Sequence, residues 1–113
     1  MENGIYHLRL YSGDGEDNGV VVITDGVLNG GSGIYHYRGQ LSFEEMRLSG
    51  SIAIRKWNRE ALASLGPFKE VTLPVKGQVV LEERTFSFIG RFVGHHVVHI
   101  EATGFYLAPL AKL

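Results

Sequence analysis

Turn signals cut this chain at intervals of about ten residues, and the runs between them alternate with period two. That pattern constrains the fold more than any other feature of the sequence. Glycine accounts for 15 of the 113 residues, placed beside Asp, Asn and Ser, the residues that tolerate positive φ or bond their own backbone in turns. Period-two runs joined by links this short pair as antiparallel hairpins. They leave little room for the crossover helices of a parallel sheet.

The first run, "GIYHLRLY", alternates Tyr6, Leu8 and Leu10 with Ile5, His7, Arg9 and Tyr11, a strand that starts almost at the N-terminus. "SGDGEDNG" reads as a polar loop outside the core. "VVVIT" is an apolar run, and Asp25-Gly26 is a strong hairpin signal that turns it into "VLN". "GGSG" lets the chain bend before "IYHYRGQL", and "SFEE" breaks that strand ahead of a strand over residues 46 to 57. On that strand Leu48, Ile52 and Ile54 share one face, with Ser49, Ser51, Ala53 and Arg55 on the other.

"NREALASLG" is the one segment with helical character. Asn58 caps it, Glu60 favours its first turn, Ala61, Leu62 and Leu65 cover one side, and Gly66-Pro67 stops it. Beyond it Val71, Leu73, Val75, Val79 and Leu81 share a parity. Pro74 lacks the N–H that a ladder needs, which points to an edge or an irregularity, and an edge would suit dimerisation. Phe86, Phe88 and Phe92 align on one face. "HHVVHIEATGFYLAPL" supplies one or two last strands, depending on what Gly104 does. The expected architecture is an all-β, up-and-down antiparallel barrel of about eight strands with one short helix, residues 1–113 forming one domain. Closure removes exposed edges.

Composition excludes several function classes. Eleven basic against 12 acidic residues leave a net charge of -1, so no broad field attracts a nucleic-acid backbone. The local exception is Arg55, Lys56 and Arg59 around Trp57, which a solvated strand end would also produce. Without cysteine, thiolate chemistry and disulfides are excluded. The N-terminus lacks a secretory signal and no apolar run reaches spanning length, so a cytoplasmic location and no membrane partner are expected.

The motifs for chemistry are weak. "GGSGIYHY" has no lysine after its last glycine and leads into a strand, so it is a turn or bulge rather than a phosphate loop. Of His7, His36, His95, His96 and His99, the closest on one face, His95 and His99, would stand roughly 13 Å apart, too far to share a metal. His99 beside Glu101 makes a polar pair. Aspartate occurs at 14, 17 and 25 in glycine-rich turns and no serine sits in a nucleophile elbow. No catalytic residue, metal or cofactor is expected.

"NGIYHLRLYS", "GVVVITDGVLNGGSGIYHYRGQL" and "FKEVTLPVKGQ", in that order, resemble the motifs of the GrlR-like family, the negative regulator of type III secretion genes and its bacterial relatives. The resemblance implies a small eight-stranded barrel, lipocalin-like in outline, that dimerises and represses by holding a transcriptional activator rather than by catalysis. Two positions depart from the family pattern. Ser32 follows Gly30-Gly31 where the family has an acid, and "SFEEM" stands where the secretion regulator has four acids. The expected protein-binding site is therefore Phe43, Glu44, Glu45 and Met46 on a hairpin tip. The alternative is a carrier of a small apolar ligand, with Tyr35, Tyr37, Phe86, Phe88 and Phe92 lining the barrel.

Overall fold

The computed structural model describes residues 1–94 and 96–112. Eight antiparallel strands follow one another in chain order and close into a barrel. They are β1 (Gly4–Ser12), β2 (Gly15–Thr24), β3 (Val27–Gly31), β4 (Tyr35–Glu44), β5 (Arg47–Lys56), β6 (Glu70–Val80), β7 (Thr85–Val93) and β8 (Val97–Ala108). Closure comes from β1 pairing with β8, from Tyr11 opposite Glu101 to Ile5 opposite Ala108, across a bulge between Ile5 and Tyr6. Thr103-Gly104 does not break β8, so the last segment is one strand.

The alternation decides what goes inside. Tyr6, Leu8 and Leu10 of β1, Val21 and Ile23 of β2, and Leu48, Ile52 and Ile54 of β5 are all buried, while the residues between them face out. The β2–β3 corner is as expected: Asp25 and Gly26 have φ of 50° and 83°, the two left-handed residues of a type I′ turn that matches strand twist. Gly104 answers a packing need instead. It stands opposite Phe86, and a Cβ there would lie 2.2 Å from the Phe86 ring.

Four expectations are corrected. Residues 58 to 66 form no helix. Asn58 Oδ1 accepts from the Glu60 N–H at 3.0 Å and Asn58 Nδ2 donates to the Gly33 carbonyl at 2.9 Å, while the Leu65 N–H donates to the Tyr35 hydroxyl at 3.1 Å. These bonds pin the segment across the barrel end and take the place of a helical ladder too short to nucleate well alone. Leu65 is buried but Leu62 is 89% exposed. The helical element among the described residues is one 3-10 turn, Leu81–Glu83, so Leu81 leaves the buried parity of β6.

The second correction is that β4 continues through "SFE" to Glu44, with the turn at Glu45 and Met46. Third, Pro74 is not on an edge strand: it pairs with Ser51 of β5. It is tolerated because the β6–β7 ladder starts only at Val75. Fourth, the residues read as a polar loop after β1 belong largely to β2, and Asp17 is buried.

Candidate functional site

The β4–β5 hairpin carries the expected interaction residues at its tip. Glu45 and Met46 occupy the two turn positions with φ of 49° and 67°. Left-handed backbone is unfavourable for both residue types, by roughly 1 kcal/mol or more each, where glycine or asparagine would relieve it. A bond from the Val79 N–H to the Met46 carbonyl at 2.8 Å ties this turn to β6. Glu44, Glu45 and Met46 are exposed. Phe43 is not: its inward parity packs it, half-buried, against the core.

The surroundings of the tip are mixed in charge. Glu44 faces Arg47 across the ladder, and a cavity of about 440 Å³ is lined by both glutamates together with Arg47, Lys76, Ser42 and Ser49. A basic partner would therefore meet two carboxylates flanked by two cations. An exposed thioether stands at the apex.

At the opposite end of β4 lies a polar cluster that the sequence hid. Asp17 is 6% exposed and sits inside the barrel wall. Its Oδ2 accepts from the Tyr37 hydroxyl and, at 2.7 Å, from the Ser32 hydroxyl. Ser32 Oγ in turn accepts from the Ile34 and Tyr35 N–H groups, both at 3.1 Å. Burial holds the Tyr37 phenol far above its ordinary range, and the hydrogen bond to Asp17 adds to the effect. Burial likewise raises Tyr35, opposed by the bond from the Leu65 N–H.

This arrangement explains Ser32. A hydroxyl can donate to Asp17 and accept from the backbone at once. A carboxylate at 32 could accept from the backbone but would set a second negative charge against Asp17 in a poorly solvated place.

The same end of the molecule is basic on its outer face. Arg55, Lys56, Arg59, Lys69 and Glu70 line a cavity of about 660 Å³. Arg55 also lines a neighbouring cavity of about 340 Å³ with His36, Arg38 and Asn29. Trp57 is 53% exposed, yet its ring is fixed by a 3.0 Å bond from Nε1 to the Ser32 carbonyl. The patch around Trp57 is thus more than a frayed strand end.

The remaining candidates are separate. His99 Nε2 lies 3.7 Å from Glu101 Oε1 on the outer face of β8, the expected polar pair. His7 stacks on Phe105 with ring centroids 6.3 Å apart. His95 lies outside the described residues. Among the described residues no group of three or more His, Asp or Glu is placed to hold a metal ion, and no helix is long and apolar enough to cross a membrane.

The barrel interior holds Tyr35, Tyr37, Phe86 and Phe88, each at most 2% exposed, together with Tyr6. Phe86 stacks on Phe88 and meets Tyr6 edge-on, with centroids 6.2 and 5.6 Å apart. Phe92 does not join them and is 44% exposed. Gly90 takes the last inward position of β7, and Phe92 lies beyond the stretch that pairs with β6.

Compared with known proteins, residues 1–110 match the family model described as the T3SS negative regulator GrlR. No curated protein matches the chain.

Proposed function

The chain belongs to the GrlR family of type III secretion negative regulators, and from that premise we propose that it regulates without catalysis, by binding a transcriptional activator at the β4–β5 tip. The supporting observation is the Glu45–Met46 turn. Two residues ill-suited to left-handed backbone occupy it, and strain held at an exposed tip is a common mark of a binding feature. Glu44 and Glu45 would steer a basic surface, and Met46 offers an adaptable apolar contact.

The interior supports this reading over the carrier alternative. Tyr6, Tyr35, Tyr37, Phe86 and Phe88 fill the space in which an apolar ligand would sit. A homodimer fits the same picture. On the outer face of β8, β1 and β2, Phe105, Leu107, Val20 and Val22 are exposed beside His7 and Ile5, a contiguous apolar surface of the kind that self-association covers. Monomer alone in sedimentation at micromolar concentration would remove the dimer.

The test of the tip is affinity capture from the native cell with the wild type beside a Glu44→Lys/Glu45→Lys variant. A DNA-binding activator recovered by the wild type and lost in the variant is the expected result. Equal capture by both removes the tip as the site.

A further inference from the structure

The tip lies at one end of the β4–β5 hairpin, and the basic groove lies at the other. The two strands are ten residues long, Tyr35 to Glu44 and Arg47 to Lys56, and span about 30 Å at the strand rise. Arg38, Arg55, Lys56, Arg59 and Lys69 are five of the chain's 11 basic residues. Among the described residues none of the five is in an ion pair. Of the five side chains, among the described residues, Lys56 alone is hydrogen-bonded, its Nζ donating to the Asn58 carbonyl.

Two further features make this a prepared surface rather than a scatter of solvated charge. Trp57 is half-exposed, but its ring orientation is set by the bond to the Ser32 carbonyl, and its own N–H donates to the Ile34 carbonyl at 3.0 Å. Trp57 follows Lys56, which lines the groove, and a held, accessible tryptophan is a common hot-spot residue. His36 lines the adjoining cavity, and its Nδ1 is buried with no hydrogen-bond partner among the described residues. A buried polar atom without a partner is uncommon, and this one lies just behind the cavity wall.

We propose that this groove binds an acidic peptide segment of a partner protein, its carboxylates received by Arg38, Arg55, Arg59 and Lys69 and an apolar side chain laid on Trp57. The planar guanidinium groups suit carboxylates, which they can grip through two parallel bonds. The charge pattern favours a peptide over a nucleic-acid strand. Glu70 lines the groove and stands opposite Arg55 in the ladder. A phosphate at every residue would meet that carboxylate, whereas a peptide can place a neutral residue there. The chain as a whole has a net charge of -1, which gives no long-range attraction for a polyanion. This site is independent of the hairpin tip: it lies at the other end of the strands and selects the opposite charge.

Trp57 is the one tryptophan in the chain and follows Lys56, which lines the groove, so its emission is a nearby probe of binding there. The experiment titrates the intact protein with a short synthetic peptide in which glutamates alternate with leucine and glycine. The same peptide with lysine for glutamate and an oligothymidylate of equal length are titrated in parallel. The expected result is a saturable change in Trp57 emission with the acidic peptide alone, weakened by added salt. Arg55→Glu and Arg59→Glu should each weaken binding about tenfold. Arg84→Glu, with the same change in net charge at the opposite end of the barrel, beside Thr85 opposite Val80, should leave it within about twofold.

Equal or tighter binding of the oligothymidylate would overturn the proposal in favour of a nucleic-acid site. Emission that shifts on concentrating the protein alone would assign the groove to a second copy. Absence of both an emission change and calorimetric heat with the acidic peptide would remove the site.

Discussion

Replacing Tyr37 by phenylalanine removes one oxygen atom from the barrel and leaves the ring where it is. Tyr37 has no exposed surface and Asp17 is 6% exposed, so water cannot readily replace the lost donor. The Asp17 carboxylate then retains the Ser32 hydroxyl, at 2.7 Å, as its side-chain donor among the described residues. A hydrogen bond to a charged acceptor contributes about 1.5–3 kcal/mol, and no cavity forms to add to the loss. Tyr37→Phe should therefore destabilise by about 2 kcal/mol, which for a chain of this length lowers Tm by about 8 °C.

Urea unfolding at neutral pH measures the difference, provided the slope of stability on denaturant is unchanged. The cause is isolated by repeating the substitution in an Asp17→Asn background. There the acceptor is uncharged and the loss should fall below about 1 kcal/mol. An equal loss in both backgrounds would refute the claim that the phenol and carboxylate act as a pair. A loss below about 0.5 kcal/mol in the wild-type background would show that the bond contributes little net energy.

Alkaline pH should unfold the barrel through its phenols. Burial, with Glu2 nearby, pushes Tyr6 up to about 12 from 10.0, and burial raises Tyr35 and Tyr37 as well. The folded chain therefore keeps protons that the unfolded chain releases, so this stability is complete below about pH 10 and declines as pH rises through about 12. Tyr6→Phe should therefore flatten the decline in urea midpoint between about pH 10 and about pH 12. Gly104→Ala should cost at least about 2 kcal/mol, since the new methyl would meet the Phe86 ring at 2.2 Å. In a Phe86→Leu background the same substitution should cost measurably less, and additive losses would refute steric conflict as the cause.

Most strands and their inward faces were legible because runs such as β1 and β5 alternate with period two and because Asp25-Gly26 announces its own turn, whereas the start of β2 and the undivided length of β8 carried no such signal. The other turns were less visible. Glu45-Met46 has no turn chemistry, so the β4–β5 corner is set by the ladder from Tyr35 opposite Lys56 to Glu44 opposite Arg47, and local preference yields to it. Residues 58 to 66 failed the other way. Their helical propensity is real, but Tyr35 and Gly33, more than twenty residues distant, supply hydrogen bonds that hold the segment in a run of turns instead.

Asp17 was misread for a related reason. An aspartate among glycines looks like turn chemistry unless its partners are known, and Ser32 and Tyr37 stand 15 and 20 residues away. Only the register of β2, β3 and β4 brings them together. The basic residues near Trp57 were visible in sequence, but Lys69 reaches the groove from the segment before β6, and Arg38 reaches the adjoining cavity from β4.

The ladder between β1 and β8 joins the two ends of the sequence. A chain emerging from the ribosome can form the β1–β2 hairpin at once, but the outer edge of β1 stays unsatisfied until residues 97 to 108 have been made. Closure is therefore the most non-local step in folding, and the waiting edge is the place where a nascent chain can pair with a neighbour instead. Production of this protein in full, rather than its stability once made, is the stage most exposed to error, and a premature stop before β8 should yield an aggregating fragment rather than a smaller barrel.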